Sequence, residues 1–538
     1  MSDTVQAVLR GHAGKDTRAL VFEDRTWSWR ELVAESAARA HTLHGMVDHD
    51  RPLHIGTLME NTPEMAMAIA AGAIGGHVTA GINATRRGAA LAADVRRADC
   101  QVVLTDDQHE PLLDGLDLGG ATVVNTDGAG WLEAVASAPR SIDGFRTVET
   151  MDTFMLIFTS GTSGEPKAVQ VSNFMVIVSG SMLADKFTLG LDDVCYVSMP
   201  MFHSNALLAG IAPAWWSAAT LALGRKFSAT RFLDEVRRYG ATYMNYVGKP
   251  LAYALATPEK PDDADNSLRV AFGNEASDRD IAEFGRRFGC TVWDGFGSTE
   301  AAVIITRPDD TPPGSVGVPF EGVAVYDRVS MQECPRAVFD EHGAVVNLDE
   351  AVGELVNTQG AGYFAGYYND PDATAQRLDG GMFWSGDLAY RDDAGFVYLA
   401  GRTADWLRVD GENLAAAPIE SILLRHPAVS QAVVYGVPDP HVGDQLMTAL
   451  VLRDDARLSP AELEDFLAEQ PDLSPKAWPR YVRIAESLPS TATNKVLKRE
   501  LVKQGTVTDD VLWVRGERDR TYAASTAQTV ATPAGTPS

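Results

Sequence analysis

Cysteine is scarce in this 538-residue chain. Its four cysteines (Cys100, Cys195, Cys290 and Cys334) lie far apart and form no CxxC or Cys/His ligand spacing, which excludes a disulfide framework or a thiolate zinc site as the organising device. A reducing cytoplasm is the expected setting. Basic charge is also short, with 46 Lys and Arg against 73 Asp and Glu and a formal net charge of -27. Such a surface repels nucleic acid and anionic membranes at long range. No nucleic-acid partner is expected, and any polyanionic ligand needs a local site. Long apolar runs are nearly missing. Met1-Ser2-Asp3-Thr4 has neither the basic nor the apolar region of a signal peptide, so export is not expected. One uncharged stretch, Asn205 to Gly224, is about long enough to span a bilayer, but it contains Pro213 and places Trp215-Trp216 at its middle instead of its ends. It is expected as buried core, with no integral membrane segment. No internal repeat is present.

What remains is ordinary globular composition, 45% hydrophobic and 22% charged, in a chain long enough for several domains. Short apolar runs alternate with amphipathic segments: Leu53–Gly56, Glu64–Ile74, Val78–Ile82, Gly88–Arg97 and Val102–Thr105. This order predicts parallel or mixed α/β layers. Ala19–Phe22 and Thr26–Trp29 read as a hairpin about Glu23-Asp24-Arg25. Ser28 with Glu31, and Ser459 with Pro460 and Glu462, read as capped helix starts. The texture changes at Gly401-Arg402-Thr403-Ala404-Asp405, the expected domain boundary, and the Ala/Thr/Ser/Pro-rich tail from about Arg520 reads as disordered.

One segment carries chemistry on its face. After the apolar strand Phe154–Phe158 comes Thr159-Ser160-Gly161-Thr162-Ser163-Gly164-Glu165-Pro166-Lys167. Small and hydroxyl residues let backbone N–H groups approach phosphate oxygens, and Lys167 adds positive charge. It is not a Walker A loop, because Lys167 follows Pro166 and precedes Ala168. By composition alone a Ser/Gly-rich surface connection fits equally well.

Order and spacing go further. The loop resembles the signature of the adenylate-forming superfamily of acyl-CoA synthetases, luciferases and nonribosomal adenylation domains. Asp294-Gly295-Phe296-Gly297-Ser298-Thr299-Glu300 is similar to that family's aromatic-Gly-x-Thr-Glu motif. Gly353-Glu354-Leu355, Gly366-Tyr367, Trp384-Ser385-Gly386-Asp387, Gly401-Arg402, Gly411-Glu412-Asn413 and Asn494-Lys495 follow in the family's order. The resemblance implies an α/β fold with a large N-terminal domain of layered sheets (1–401), a hinge at 402–405 and a small mobile C-terminal α/β domain (406–505), followed by a tail (506–538). It implies an ATP-dependent ligase that joins a carboxylic acid to coenzyme A through acyl-AMP, with Mg²⁺ as cofactor.

The implied roles follow the motifs. ATP or AMP would be held by Thr159, Ser160, Gly161, Thr162, Ser163, Gly164 and Lys167, by Gly273, Asn274 and Glu275, and by Asp294, Gly295, Phe296, Gly297, Ser298 and Thr299. Asp387 would bind the ribose hydroxyls, for which a carboxylate has two acceptor oxygens, and Arg402 the nucleotide. Thr299 would meet the α-phosphate and Glu300 would bind Mg²⁺. Lys495 would reach the α-phosphate and the carboxylate during adenylation. His203, in Pro200-Met201-Phe202-His203-Ser204-Asn205, matches a motif near the acid and thiol path and is assigned to substrate binding or gating. The acyl group would lie against His203, Tyr246, Val247, Gly248, Gly273, Gly297 and Ala301. Coenzyme A would meet Gly411, Glu412 and Asn413, with Ala404 and Asp405 at the hinge.

The pattern departs from the family at places. Ala404 stands where many relatives have a charged hinge residue, Asn494 where Gly precedes the lysine, and Ala168 where Gly follows Lys167. Gly273-Asn274-Glu275-Ala276 replaces the usual adenine-pocket segment and, with Tyr246-Val247-Gly248-Lys249-Pro250, resembles the very-long-chain acyl-CoA synthetase and fatty-acid-transport-protein branch. Actinobacterial fatty-acid and steroid side-chain CoA ligases are the nearest likeness, so the expected acid is long-chain or bulky and apolar. Small residues at Gly273, Gly297, Ala301 and Ala302 fit a wide acyl tunnel or close packing against helices. Two other readings stay open: delivery to a carrier-protein thiol, and a binding or transport protein that keeps the fold without turnover. A homodimer is one assembly open to the chain.

Overall fold

The computed structural model describes residues 3–159, 166–308, 310–341, 343, 345–402, 406–409, 412–439, 443–470, 473, 477–490, 496–516 and 520–524. These fall into two compact units, one of residues 1–304 with 359–383 and the other of residues 305–358 with 384–538. The expected hinge at 402–405 therefore falls inside the second unit, and its residues 403–405 lie outside the described ones.

The first unit contains two sheets. One runs Thr291–Gly297, Val270–Asn274, Tyr243–Val247, Val194–Val197, Thr220–Leu223 and Arg18–Phe22, all parallel, and ends on the antiparallel strand Arg25–Ser28. The other runs Thr122–Asn125, Val102–Thr105, His54–Leu58, Val78–Gly81 and Thr153–Thr159, all parallel, then the antiparallel Lys167–Ser172. Local chemistry explains the connecting elements. The Ser28 side chain accepts from the Glu31 N–H at 3.2 Å, and Glu31 returns a bond to the Ser28 N–H at 2.8 Å. That reciprocal cap stops the hairpin strand at Ser28 and makes Trp29 the first residue of helix Trp29–His44. The turn before it is tighter than expected, with Glu23 at φ 52° and Arg25 already paired in the strand.

Helix Pro63–Gly75 is apolar all round and buried through its last three turns, as a helix without a polar face must be. The stretch Asn205 to Gly224 is core as expected: a π-helix Asn205–Ile211, a helix Ala212–Ser217 and a strand Thr220–Leu223, with Trp215 buried. Among the described residues no helix is long and apolar enough to cross a membrane. Tyr196, Phe232, Met244, Tyr246, Ala271, Phe284 and Phe288 form one continuous apolar cluster beneath the first sheet.

In the second unit, Val323–Asp327, Gly353–Asn357, the strand through Asp387 (Met382–Arg391, which begins at the end of the first unit) and Val397–Arg402 form one sheet, in which the first two and the last two strands pair antiparallel. Further along the chain, Val429–Asp439, Gly443–Leu452, Tyr481–Ala485 and Val511–Arg515 form a mixed sheet. Helix Pro460–Ala468 begins at the expected Ser459 and Glu462 box.

Candidate active site

Parallel strands share one carboxyl edge, and ligands of open α/β sheets bind along it. In the first sheet that edge collects the turn carrying His203 after Val194–Val197, Gly248-Lys249 after Tyr243–Val247, Glu275 after Val270–Asn274 and Ser298-Thr299-Glu300 after Thr291–Gly297. Two non-glycine residues there, Glu275 (φ 67°) and Ala301 (φ 49°), hold left-handed backbone. Such conformations persist only where the surroundings enforce them, and they concentrate at functional sites.

Glu300 and Lys167 come together through an aromatic residue. Tyr367 donates its hydroxyl to Glu300 Oε1 at 2.8 Å, and Lys167 Nζ lies 5.1 Å from the centre of the same ring. Arg377 Nε reaches the Tyr367 oxygen at 3.4 Å. The tyrosine is fixed by its backbone: Gln170 N–H donates to Gly366 O at 3.1 Å and Tyr368 N–H to Ala168 O at 2.8 Å. Tyr368 and Asn369 then anchor on the Asp99 carboxylate. Burial, followed by the Arg377 guanidinium, lowers the Lys167 ammonium below its ordinary value, against the pull of Asp370 and Glu300. Below the loop, the Arg97 guanidinium holds the Pro166 carbonyl.

This arrangement fits the expected metal. Glu300 is nearly buried and one of its oxygens is oriented by a phenol. Mg²⁺ usually takes one or two carboxylates and completes its shell with substrate phosphate and water. Among the described residues no cluster of three or more ligating side chains exists that would cage an ion by protein alone.

The His203 turn is joined directly to this segment. Ser204 Oγ and Thr299 Oγ1 are 2.8 Å apart, and Asn205 Nδ2 donates to the Tyr246 carbonyl at 2.8 Å while its own oxygen accepts from Asn245. His203 Nε2 is buried and has no hydrogen-bond partner among the described residues. Burial pushes its pKa down to about 4, so at neutral pH the ring is an uncharged imidazole. Nearby, burial lowers the Lys249 ammonium to about 8.

The structure separates residues that look alike in the sequence. A methyl on Gly273 would lie 2.2 Å from the Tyr246 carbonyl oxygen and 2.7 Å from its ring, whereas one on Gly297 would meet nothing within 4 Å. Gly273 is small because strand packs on ring; Gly297 borders open space. Tyr246, expected in the acyl wall, presents no surface, and its hydroxyl donates to Asp294 Oδ2 at 2.8 Å. The Asp294 carboxylate also accepts from Ala276 N–H at 3.1 Å. Both residues are turned inward and brace the Asn274–Ala276 segment. The reason is the period of two: Asp294 pairs with Gly273, and Gly273 with Tyr246, on one face of the sheet.

Asp387 lies in the second unit, nearly buried. Its N–H donates to Ser385 Oγ at 3.0 Å, and the Gly386 N–H donates to Glu354 Oε1 at 2.6 Å. Asp387 is opposite Arg402 in the strand register. Glu412 and Asn413 sit in the strand Glu412–Ala415. Ser160, Gly161, Thr162, Ser163, Gly164, Ala404, Asp405, Gly411 and Lys495 lie outside the described residues. Tyr367 was visible in the sequence only as part of a motif, without a role, and Asn61, treated below, carried no signal at all.

A family model described as AMP-binding enzyme matches residues 9–368, and one described as AMP-binding enzyme C-terminal domain matches residues 418–495. The chain is 50% identical over 510 residues to the medium/long-chain-fatty-acid–CoA ligase FadD17 of Mycobacterium tuberculosis, covering 95% of this chain and 98% of that one. It is 44% identical over 520 residues to the steroid-22-oyl-CoA synthetase of Rhodococcus jostii, with 95% and 93% covered. Among solved structures, ATP-bound MatB from Rhodopseudomonas palustris superposes with a TM-score of 0.80 at 24% identity, over 94% of this chain and 99% of that one. The o-succinylbenzoate CoA synthetase of Bacillus subtilis, in complex with its acyl-adenylate, superposes with a TM-score of 0.75 at 25% identity, over 92% and 97%.

Proposed function

This chain belongs to the AMP-binding enzyme family, and from that premise we propose that it is an AMP-forming acid–thiol ligase for a long-chain or bulky apolar carboxylic acid. The acid is activated as acyl-AMP and then transferred to coenzyme A. The observation that carries the reading is the 2.8 Å contact between Ser204 and Thr299, which joins the turn of His203 to the Thr299-Glu300 segment in one continuous site. The acid specificity rests on the two relatives named above, one acting on medium and long fatty acids and the other on a steroid-22-oyl group.

A carboxylate oxygen attacks the α-phosphorus of ATP, the bond to pyrophosphate breaks, and a mixed anhydride forms. Two anions must meet, so the protein must supply fixed positive and dipolar groups beforehand. Lys167, the loop N–H groups and Lys495 fill that role, and Thr299 orients the α-phosphate. Glu300, held by Tyr367, is the residue that would hold Mg²⁺, which neutralises phosphate charge when bound. In the second step a coenzyme A thiol attacks the acyl carbon and AMP leaves. Here 406–505 turns about 402–405, withdrawing Lys495 and presenting Gly411, Glu412 and Asn413. The neutral His203 imidazole faces the acyl carboxyl as a hydrogen-bonding group, with Val247, Gly248, Gly297 and Ala301 bordering the acyl chain. Since ATP and coenzyme A are cytoplasmic metabolites, we place the reaction there.

The test is pyrophosphate release across a panel of fatty, aryl and steroid side-chain acids, with and without coenzyme A. Acid-dependent release followed by thioester formation is expected for an apolar acid. No release with any acid overturns the ligase reading, and release without thioester formation favours a carrier-protein acceptor. Lys495→Ala should abolish adenylation while ATP binding persists.

A further inference from the structure

Asn61 lies outside every motif, yet it is buried at the junction of the two sheets of the first unit. It follows strand His54–Leu58 and immediately precedes Thr62, the cap of helix Pro63–Gly75. Its carboxamide reaches the other sheet and engages both N–H donors and its oxygen there. Nδ2 donates to Met199 O at 2.9 Å and to Gly224 O at 3.1 Å, while Oδ1 accepts from the Met201 N–H at 2.9 Å. Met199 lies two residues beyond strand Val194–Val197, and Gly224 directly follows the neighbouring parallel strand Thr220–Leu223. One side chain therefore ties the carboxyl edges of three strands from two sheets.

What it holds is the turn that carries His203. Met199 and Met201 flank Pro200, and the His203 N–H closes on Pro200 O at 3.0 Å. From the same side as Asn61, Gly81 leaves room for the Phe202 backbone: a methyl there would lie 3.0 Å from the Phe202 Cα. Ser204 and Asn205 secure the far end of the turn on Thr299 and Tyr246. The near end has only Asn61 among these side-chain anchors. No other small side chain offers this set: aspartate lacks both donors, leucine lacks everything, and serine supplies one donor and one acceptor.

We propose that Asn61 is a positioning residue for the acyl site, setting the place of the His203 imidazole through Met199 and Met201. The inference rests on the ligase reading above. Loss of the carboxamide releases the near end of the turn, and displacement of a positioned group by about 1 Å costs up to about 100-fold in rate.

The test is a double-mutant cycle of Asn61→Ala, His203→Ala and the pair, with KM and kcat measured separately for the acid, ATP and thioester formation, per folded enzyme. Asn61→Ala is expected to lower kcat/KM for the acid by about 10- to 100-fold, with the KM for ATP changed less than about twofold. In the His203→Ala background Asn61→Ala should have almost no further effect, since the group it positions is gone. Asn61→Ser, which keeps one donor and one acceptor, should lie between and carries the same cycle where the alanine variant does not fold. The inference is overturned if the loss is the same in both backgrounds, or if only the melting temperature moves and the kinetic constants do not. Wild-type thioester formation is measured first, so a failure of the ligase reading is distinct from a failure of the role of Asn61.

Discussion

Gly273→Ala and Gly297→Ala are the same chemical change on adjacent strands, and the structure assigns them opposite consequences. At Gly273 the new methyl lies 2.2 Å from the Tyr246 carbonyl oxygen, more than 1 Å inside an ordinary carbon–oxygen contact of about 3.4 Å. The obstruction is backbone in the parallel register Tyr246 to Gly273 to Asp294, so relief requires two hydrogen-bonded strands to part. Overpacking of this kind costs about 1–3 kcal/mol, and the fixed carbonyl places it at the upper end. Gly297 has nothing within 4 Å and no left-handed backbone, so its alanine should change stability by at most about 0.5 kcal/mol. Large chains often unfold irreversibly, so thermal scans at one fixed rate are the proper comparison. Gly273→Ala should melt lower on the order of 2–6 °C, and Gly297→Ala should match the parent. Pyrophosphate release with a slim fatty acid and a wide ring acid then follows for the variant that folds. Gly297→Ala should alter the ratio between them, because it narrows open space. Equal melting of Gly273→Ala and parent, or a lower midpoint for Gly297→Ala, would refute the reasoning.

Tyr367→Phe removes only the hydroxyl that orients Glu300. The Mg²⁺ concentration for half-maximal adenylation should rise about tenfold, as for other groups that orient a metal ligand, while the KM for the acid stays put; an unchanged Mg²⁺ dependence would dismiss the bracing role. Stability should also fall in mild acid. His77 is buried, both its ring nitrogens lack partners among the described residues, and burial, then His44 and His54, push its pKa down to about 3. The unfolded imidazole takes up its proton near 6.5, so the unfolded state binds more protons below that pH. The contribution is complete above 6.5 and lost as pH falls towards 3, about 1 kcal/mol of it between pH 7 and 5.5. Melting midpoints at those two pH values check this, and an equal or higher midpoint at 5.5 contradicts the burial of a neutral ring.

Much of the fold could be read because local signals agree with it. Helix Gly88–Arg97 and strand Val102–Thr105 occupy the expected residues, and both capping boxes begin helices where hydroxyl and carboxylate are three residues apart. The segments of the site were named from their resemblance to a family, and of these the His203 turn and the Thr299-Glu300 segment are joined by the Ser204–Thr299 contact. The direction in which a side chain points was less legible. Asp294 stands in a motif read as touching nucleotide, but it shares a face with Tyr246 across Gly273, and that pairing is a property of register between strands almost 50 residues apart. Asn61 is the extreme case. Its neighbours in sequence are a strand end and a helix cap, which any asparagine satisfies, while its partners are 138 to 163 residues away. Local periodicity holds no record of such a contact. A carboxamide whose donors and acceptor are all engaged by distant backbone becomes visible only once two sheets are placed edge to edge, and that is why the acyl site depends on a residue that no motif contains.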